Sequence, residues 1–309
     1  MRLVNYKTLN TKQGNLLLAY GPSGIGKTVT TIQTSPDPII YLTAEGRKIE
    51  TSMIPVSRPD VKMLVGEYEE YNDLINTCLD FEMKNGIYQL DENNKRIHRR
   101  FKDAKTIVLD SLTHLMIVHL SMEILSENWS SKTEEQKREI EKQLTMQVKL
   151  SEEAYGTLAG QMIRLMRALQ MLTVAGYDVV CLAREADRPR WNRSLSAAPA
   201  LMGREFSKSM DGFFDFICRL SPPDHKDGDI KPEYGSNTQK VWSYYAPLAT
   251  FDRSEDCLAK WTGAIGPKGI SGRKYNVRKI FEEANGIFTH SAVNSTPQSQ
   301  PHKEEVSDE

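Results

Sequence analysis

The sequence offers little to redox or metal chemistry. Its cysteines, Cys78, Cys181, Cys218 and Cys257, are scattered without C-x-x-C spacing, which argues against a zinc site and against a disulfide framework. The histidines are spread so that no pair has a metal-ligand spacing. No apolar run approaches the roughly 20 residues of a membrane-crossing helix, and the amino-terminal residues do not read as a secretory leader. No membrane partner is expected, and a cytoplasmic location is. Excess charge of one sign is also missing. The formal net charge is −1, so nothing advertises nucleic acid globally, and any such surface must be a local patch. What remains is an ordinary globular composition, 39% hydrophobic and 26% charged, in a chain long enough for one large α/β domain with insertions or for two domains.

Against that background one stretch stands out. Gly21-Pro22-Ser23-Gly24-Ile25-Gly26-Lys27-Thr28 fits G-x-x-x-x-G-K-[ST], the phosphate-binding loop, between the apolar run 15–20 and a helical start rich in Thr, Val and Ile. Glycines here let successive N–H groups turn inward toward phosphate oxygens. A helix beginning near Lys27 adds its amino-terminal partial positive charge. The Lys27 ammonium would bridge β- and γ-phosphates, and the Thr28 hydroxyl would enter a Mg²⁺ shell. A nucleoside triphosphate, ATP with Mg²⁺, is the expected ligand.

Along the chain, Ser35-Pro36-Asp37-Pro38 breaks the first helix and 39–42 reads as a second buried strand, followed by Thr43-Ala44-Glu45-Gly46. Residues 61–65 read as a third strand and 68–81 as a helix. The stretch 84–105, with Asn85-Gly86 and a basic run over 95–102, is a turn-rich excursion that suits a hairpin. Thr106-Ile107-Val108-Leu109-Asp110-Ser111 is a strand ending in an acid. With the phosphate loop upstream it matches the Walker B pattern, in which Asp110 holds the magnesium hydration shell beside Thr28.

Residues 126–153 are dense in Glu, Lys and Gln and suit a solvated helix. Leu158, Met162, Leu165, Met166, Leu169 and Leu172 fall at helical spacing. Such a stripe suits either an interaction surface or, preferably, a helix covering the sheet. The run Val179–Ala183 suits a strand buried on both faces of a parallel sheet. Arg184 to Arg193 follows, read as a loop, and its Arg188, Arg190 and Arg193 surround Trp191. They fit phosphate contacts with base stacking, or equally a solvated surface. Residues 211–220 resume a buried element, and 239–245 and 248–251 look like late antiparallel strands. From 289 onward the chain is rich in Ser, Pro, Gln and Glu, as disordered tails are.

Taken in order, these parts resemble the RecA-like ATPases, and within them the phage-encoded branch of small relatives implicated in single-strand DNA annealing and recombination. The match runs from about Leu16 to Gly263. Besides the loop and Asp110-Ser111, it rests on Glu45 placed two residues past the second strand, on Pro199-x-x-x-Gly203-Arg204, and on Phe214-Asp215-x-x-x-Arg219-Leu220. The resemblance implies an α/β fold, a RecA-like core of mainly parallel sheet flanked by helices with late antiparallel strands. One ATPase domain would span 1–288, with insertions at 84–105 and 126–153, before a disordered tail at 289–309.

It further implies that Glu45 activates the attacking water and that Arg184 senses the γ-phosphate, where relatives more often carry Gln or His. Relatives also have a Lys-x-Arg-like finger reaching a neighbouring subunit's site. Here Ala259-Lys260-Trp261-Thr262-Gly263 keeps Lys260 and lacks the arginine. The partners implied are single-stranded DNA, further copies of the chain and a single-strand-binding protein, in a phage-infected bacterial cytoplasm. Two other functions share the phosphate loop. A nucleotide-kinase-like phosphotransferase would use the Arg184–Arg193 cluster as a lid, and an ATP-gated DNA-binding protein would bind without turnover.

Overall fold

Every residue of Leu16–Gly21 is buried, and together they form β1, the strand on which the rest is assembled. In this computed structural model the described residues are 13–43, 60–68, 70–92, 95–120, 152–187, 195–201, 204–222, 247–251, 257–262 and 273–285, with isolated positions between 124 and 138. Glu45, the segment 188–194, residues 223–246 and the tail from 289 lie outside them, as does nearly all of 126–151.

In chain order, β1 is followed by α1 (Lys27–Thr34), β2 (Ile39–Thr43), β3 (Met63–Glu67) and α2 (Tyr71–Cys78). A short hairpin, β4 (Met83–Lys84) and β5 (Ile87–Tyr88), precedes β6 (Thr106–Asp110) and α3 (Leu112–His114), which continues as a π-helical stretch, Leu115–Leu120. Then come α4 (Glu152–Val174), β7 (Asp178–Asp187), β8 (Ala197–Pro199), α5 (Arg204–Ser209) and β9 (Phe216–Ser221). Last are β10 (Leu248–Thr250), β11 (Arg273–Lys274) and α6 (Val277–Ala284).

The main sheet runs β11-β10-β9-β1-β7-β6-β2-β3. From β9 to β3 all neighbours are parallel, whereas β10 is antiparallel to both β9 and β11. This is the expected α/β architecture, with its antiparallel strands late in the chain. The two faces are packed separately, as a sheet covered on both sides requires. Leu16, Leu18 and Tyr20 share one core with the α4 residues Leu158, Met162, Leu165, Met166, Leu169 and Leu172. Leu17 and Ala19 face Ile32 of α1 and Val277, Ile280 and Phe281 of α6. The methionine-rich stripe is therefore the cover of the sheet, completely buried.

Two acids hold the start of β1. Asp178 Oδ1 accepts from the Asn15 N–H at 3.0 Å and from Asn15 Nδ2 at 2.9 Å. Asp215 Oδ2 accepts from the Leu16 N–H at 2.8 Å. The expected hairpin at 84–105 is present, turning at Asn85 and Gly86 with φ of 54° and 76°. Its base is fastened by His98, fully buried and stacked on Phe101 at 4.1 Å. His98 Nδ1 accepts from the Arg100 and Phe101 N–H groups, so Nε2 must carry the proton it donates to the Thr77 carbonyl at 2.9 Å. Burial lowers the pKa of this imidazole, which favours the same neutral form.

One boundary differs from the sequence reading. β7 does not stop with its apolar run but continues through Asp187, because Glu185–Asp187 gain a new antiparallel partner in Ala197–Pro199. Arg184 to Asp187 are thus strand, not loop.

Candidate nucleotide-binding site

β1 ends at Gly21, where a side chain has no room. A Cβ would come within 2.5 Å of the Leu220 carbonyl oxygen on β9. The chain then loops to Gly26, whose φ of 86° lies in the left-handed region that a side chain disfavours, and Gly26 caps α1 without any side-chain hydrogen bond. The first turn of α1 therefore presents backbone N–H groups toward the loop. Lys27 folds over it, donating through Nζ to the Gly21 carbonyl at 2.8 Å and the Pro22 carbonyl at 2.7 Å.

Asp110 reaches the same place from another strand. β7 lies between β1 and β6, so the phosphate-loop strand and the Asp110 strand stand two spacings, about 10 Å, apart. The gap is closed from above by α1. Thr28 Oγ1 donates to Asp110 Oδ2 at 2.5 Å. The same oxygen accepts from the Tyr41 hydroxyl at 2.8 Å. Tyr41 was not singled out in the sequence, and its signal is faint. It is the one residue with a polar tip in the apolar run Ile39-Ile40-Tyr41-Leu42, where a buried tyrosine needs a partner for its hydroxyl.

Arg184 stands in register with Gly21 across the β1–β7 pair, and its side chain is exposed. Its N–H donates to Thr113 Oγ1 at 2.9 Å, and its carbonyl accepts from the Ala200 N–H at 2.7 Å. The next residue, Glu185, pairs with Arg219 of β9 through two hydrogen bonds of 2.9 Å, which raise the guanidinium pKa. Tyr20, between them, donates to the Leu258 carbonyl at 2.9 Å, and burial pushes its phenol well above the ordinary range. The Arg219 and Glu185 roles were not foreseen from sequence.

Lys260 is placed elsewhere. It bridges to Ile217, toward the start of β9, while the loop end of that strand is Arg219–Ser221. Its ammonium donates to the Asp211 carbonyl at 2.7 Å and the Phe214 carbonyl at 2.6 Å. Loop 21–28 and Asp110 are thus brought together, Arg184 borders them, and Lys260 is apart from them within this chain.

A family profile described as an AAA domain matches residues 13–247. The chain belongs to the AAA domain family. With the loop geometry, that makes it a nucleotide-binding ATPase of the phosphate-loop kind. Among solved structures, the AAA domain is similar to the flagellar accessory protein FlaH from Methanocaldococcus jannaschii. The identity is 11%, with 70% of this chain and 75% of that one covered, at a TM-score of 0.37. It is likewise similar to the RadB recombinase, at 11% identity over 69% of this chain and 79% of that one, with a TM-score of 0.38. A search of curated proteins finds no match. Among the described residues, no helix of this AAA domain is long and apolar enough to cross a membrane.

Proposed function

We propose that this AAA domain binds ATP with Mg²⁺ at residues 21–28, hydrolyses it, and acts on single-stranded DNA in phage-type recombination, annealing or replication. The observation that carries the nucleotide part is the junction of Thr28 and Asp110 at 2.5 Å, formed across an intervening strand. A hydroxyl and a carboxylate side by side are hard oxygen donors of the kind Mg²⁺ takes, so the residues fit the metal. When bound, Mg²⁺ neutralises charge on the phosphate oxygens. Thr28 and Asp110 would hold it. Lys27 would leave the Gly21 and Pro22 carbonyls for the β- and γ-phosphates, and the N–H groups of 23–28 would cradle the rest. Glu45 would take the proton of the attacking water and Arg184 would read the γ-phosphate. Little covalent work is needed beyond such positioning.

Tyr41 holds the Asp110 carboxylate from the neighbouring strand β2. Tyr41→Phe should therefore raise the Mg²⁺ concentration for half-maximal turnover by about tenfold, as loss of a ligand's orienting partner does, with turnover restored at saturating metal. An unchanged Mg²⁺ titration would contradict this role.

The DNA part rests on Arg188, Arg190, Trp191 and Arg193, in the segment joining β7 to its antiparallel partner β8. Neutralising each arginine should weaken single-stranded DNA binding and flatten its log–log salt dependence by about 0.7 per lost phosphate contact. Trp191→Ala should cost about 1–3 kcal/mol if a base stacks on the indole. A labelled oligonucleotide titrated at several salt concentrations checks both. Wild-type slopes in all arginine variants would leave the segment as solvated surface and move the phosphotransferase reading ahead.

Assembly of further copies around shared ATP, and a single-strand-binding protein as partner, belong to the same proposal. A role for Lys260 in a neighbour's site requires its ammonium to give up two backbone carbonyls. That engagement favours, as a second reading, an ATP-gated DNA-binding protein with little turnover.

A further inference from the structure

The pairing of Glu185 with Arg219 is an unusual use of charge. Glu185 keeps only 6% of its side-chain surface exposed and Arg219 28%. Buried ion pairs contribute little net stability, since apolar residues of the same volume commonly do as well. What they supply is fixed geometry, because a guanidinium fork on a carboxylate admits one planar arrangement.

The position of this fork is informative. Arg219 stands in register with Tyr20, and Arg184 with Gly21. The pair therefore ties β7 to β9 across β1, at the level where the phosphate loop leaves the sheet. Strand alternation puts Glu185 on the face of Cys181 and Ala183, and Arg184 on the face of Val180 and Leu182 that packs with α1. The backbone of Arg184 is held at three points. Thr113 Oγ1 accepts from its N–H, the Ala200 N–H donates to its carbonyl, and the clamp on Glu185 fixes the next residue. A long exposed side chain is thus mounted on a backbone with very little freedom, level with Gly21.

We infer that Glu185 and Arg219 are positioning residues that act through Arg184, fixing where its guanidinium meets the terminal phosphate of a bound nucleotide. The inference rests on the ATP reading proposed above. Without the clamp the end of β7 can shift, and the arginine loses its aim while loop 21–28 keeps its own contacts. The clamp therefore governs the preference for triphosphate over diphosphate, and leaves diphosphate affinity to the loop.

The test compares binding of ADP and of a non-hydrolysable ATP analogue, each with Mg²⁺, to the full chain. Arg184→Ala should lower the triphosphate preference by about tenfold, the scale of one hydrogen bond between charged groups. Glu185→Gln with Arg219→Gln, which leaves no orphaned charge, should lower it by a similar factor. Its thermal melting and ADP affinity should stay close to wild type, so that the lost triphosphate preference, which a merely structural pair would not show, is read on a folded protein. Arg219→Lys keeps the cation but not the fork. It should also lose most of the preference, and it carries the test if the double variant does not fold. Folded clamp variants with the wild-type preference would overturn the inference and leave nucleotide binding intact. So would a wild-type protein that binds both nucleotides equally. Absence of binding to either nucleotide would instead remove the ATP reading itself, and the clamp's role with it.

Discussion

Lys27→Ala is expected to abolish nucleotide binding or, where binding persists, to cut hydrolysis by about 10²–10³-fold or more, the scale for losing a single charge-stabilising donor. The size of the effect follows from how few cations the loop has. Within 21–28 every other side chain is neutral, and the Lys27 ammonium already points back over the loop at the Gly21 and Pro22 carbonyls. Phosphate oxygens would replace these neutral acceptors with charged ones, roughly doubling the strength of each hydrogen bond. The fold should tolerate the change, because Lys27 starts α1 at a half-buried position and alanine favours helix. Equilibrium binding of a fluorescent ATP analogue, with a melting curve as control, checks this. Near wild-type turnover in the variant would remove the site assignment.

Glu45→Gln is expected to have the next largest effect, with ATP and Mg²⁺ still bound and turnover reduced by about 10²–10⁴-fold, the usual worth of a general base. The amide keeps the size of the side chain but cannot take a proton. Glu45 follows Thr43 by two residues, and Thr43 is in register with Asp110 on β6. The carboxyl ends of these strands are where open α/β sheets receive their ligands. Single-turnover phosphate release, alongside ATP affinity, separates the possibilities. Loss of binding together with loss of stability would mark Glu45 as a structural acid paired with neighbouring cations.

The parts legible in the sequence were those written in consecutive residues. Residues 21–28 carry their own geometry in the spacing of glycines and lysine. The apolar runs at 16–20, 39–42, 106–109 and 179–183 announce buried strands directly. What could not be read was set by residues far apart in the chain. Tyr41 meets Asp110 only because β2 pairs with β6 in one register. Glu185 meets Arg219 only because β1 runs between their strands. The charged sequence of Arg184 to Asp187 suggested a loop, and its strand conformation comes from pairing with Ala197–Pro199 beyond the end of β1. Lys260 shows the limit most plainly. Its place beside a Thr-Gly suggested a finger, and nothing local reveals that carbonyls of Asp211 and Phe214 hold its ammonium.

The central claim is ATP hydrolysis coupled to single-stranded DNA. Release of inorganic phosphate from ATP and Mg²⁺, measured with and without a saturating single-stranded oligonucleotide, tests it most directly. The account predicts turnover that depends on Lys27 and Glu45 and changes when DNA is added. Binding of ATP without phosphate release under either condition would contradict it in favour of an ATP-gated binder, and transfer of phosphate to an acceptor would contradict it in favour of a phosphotransferase.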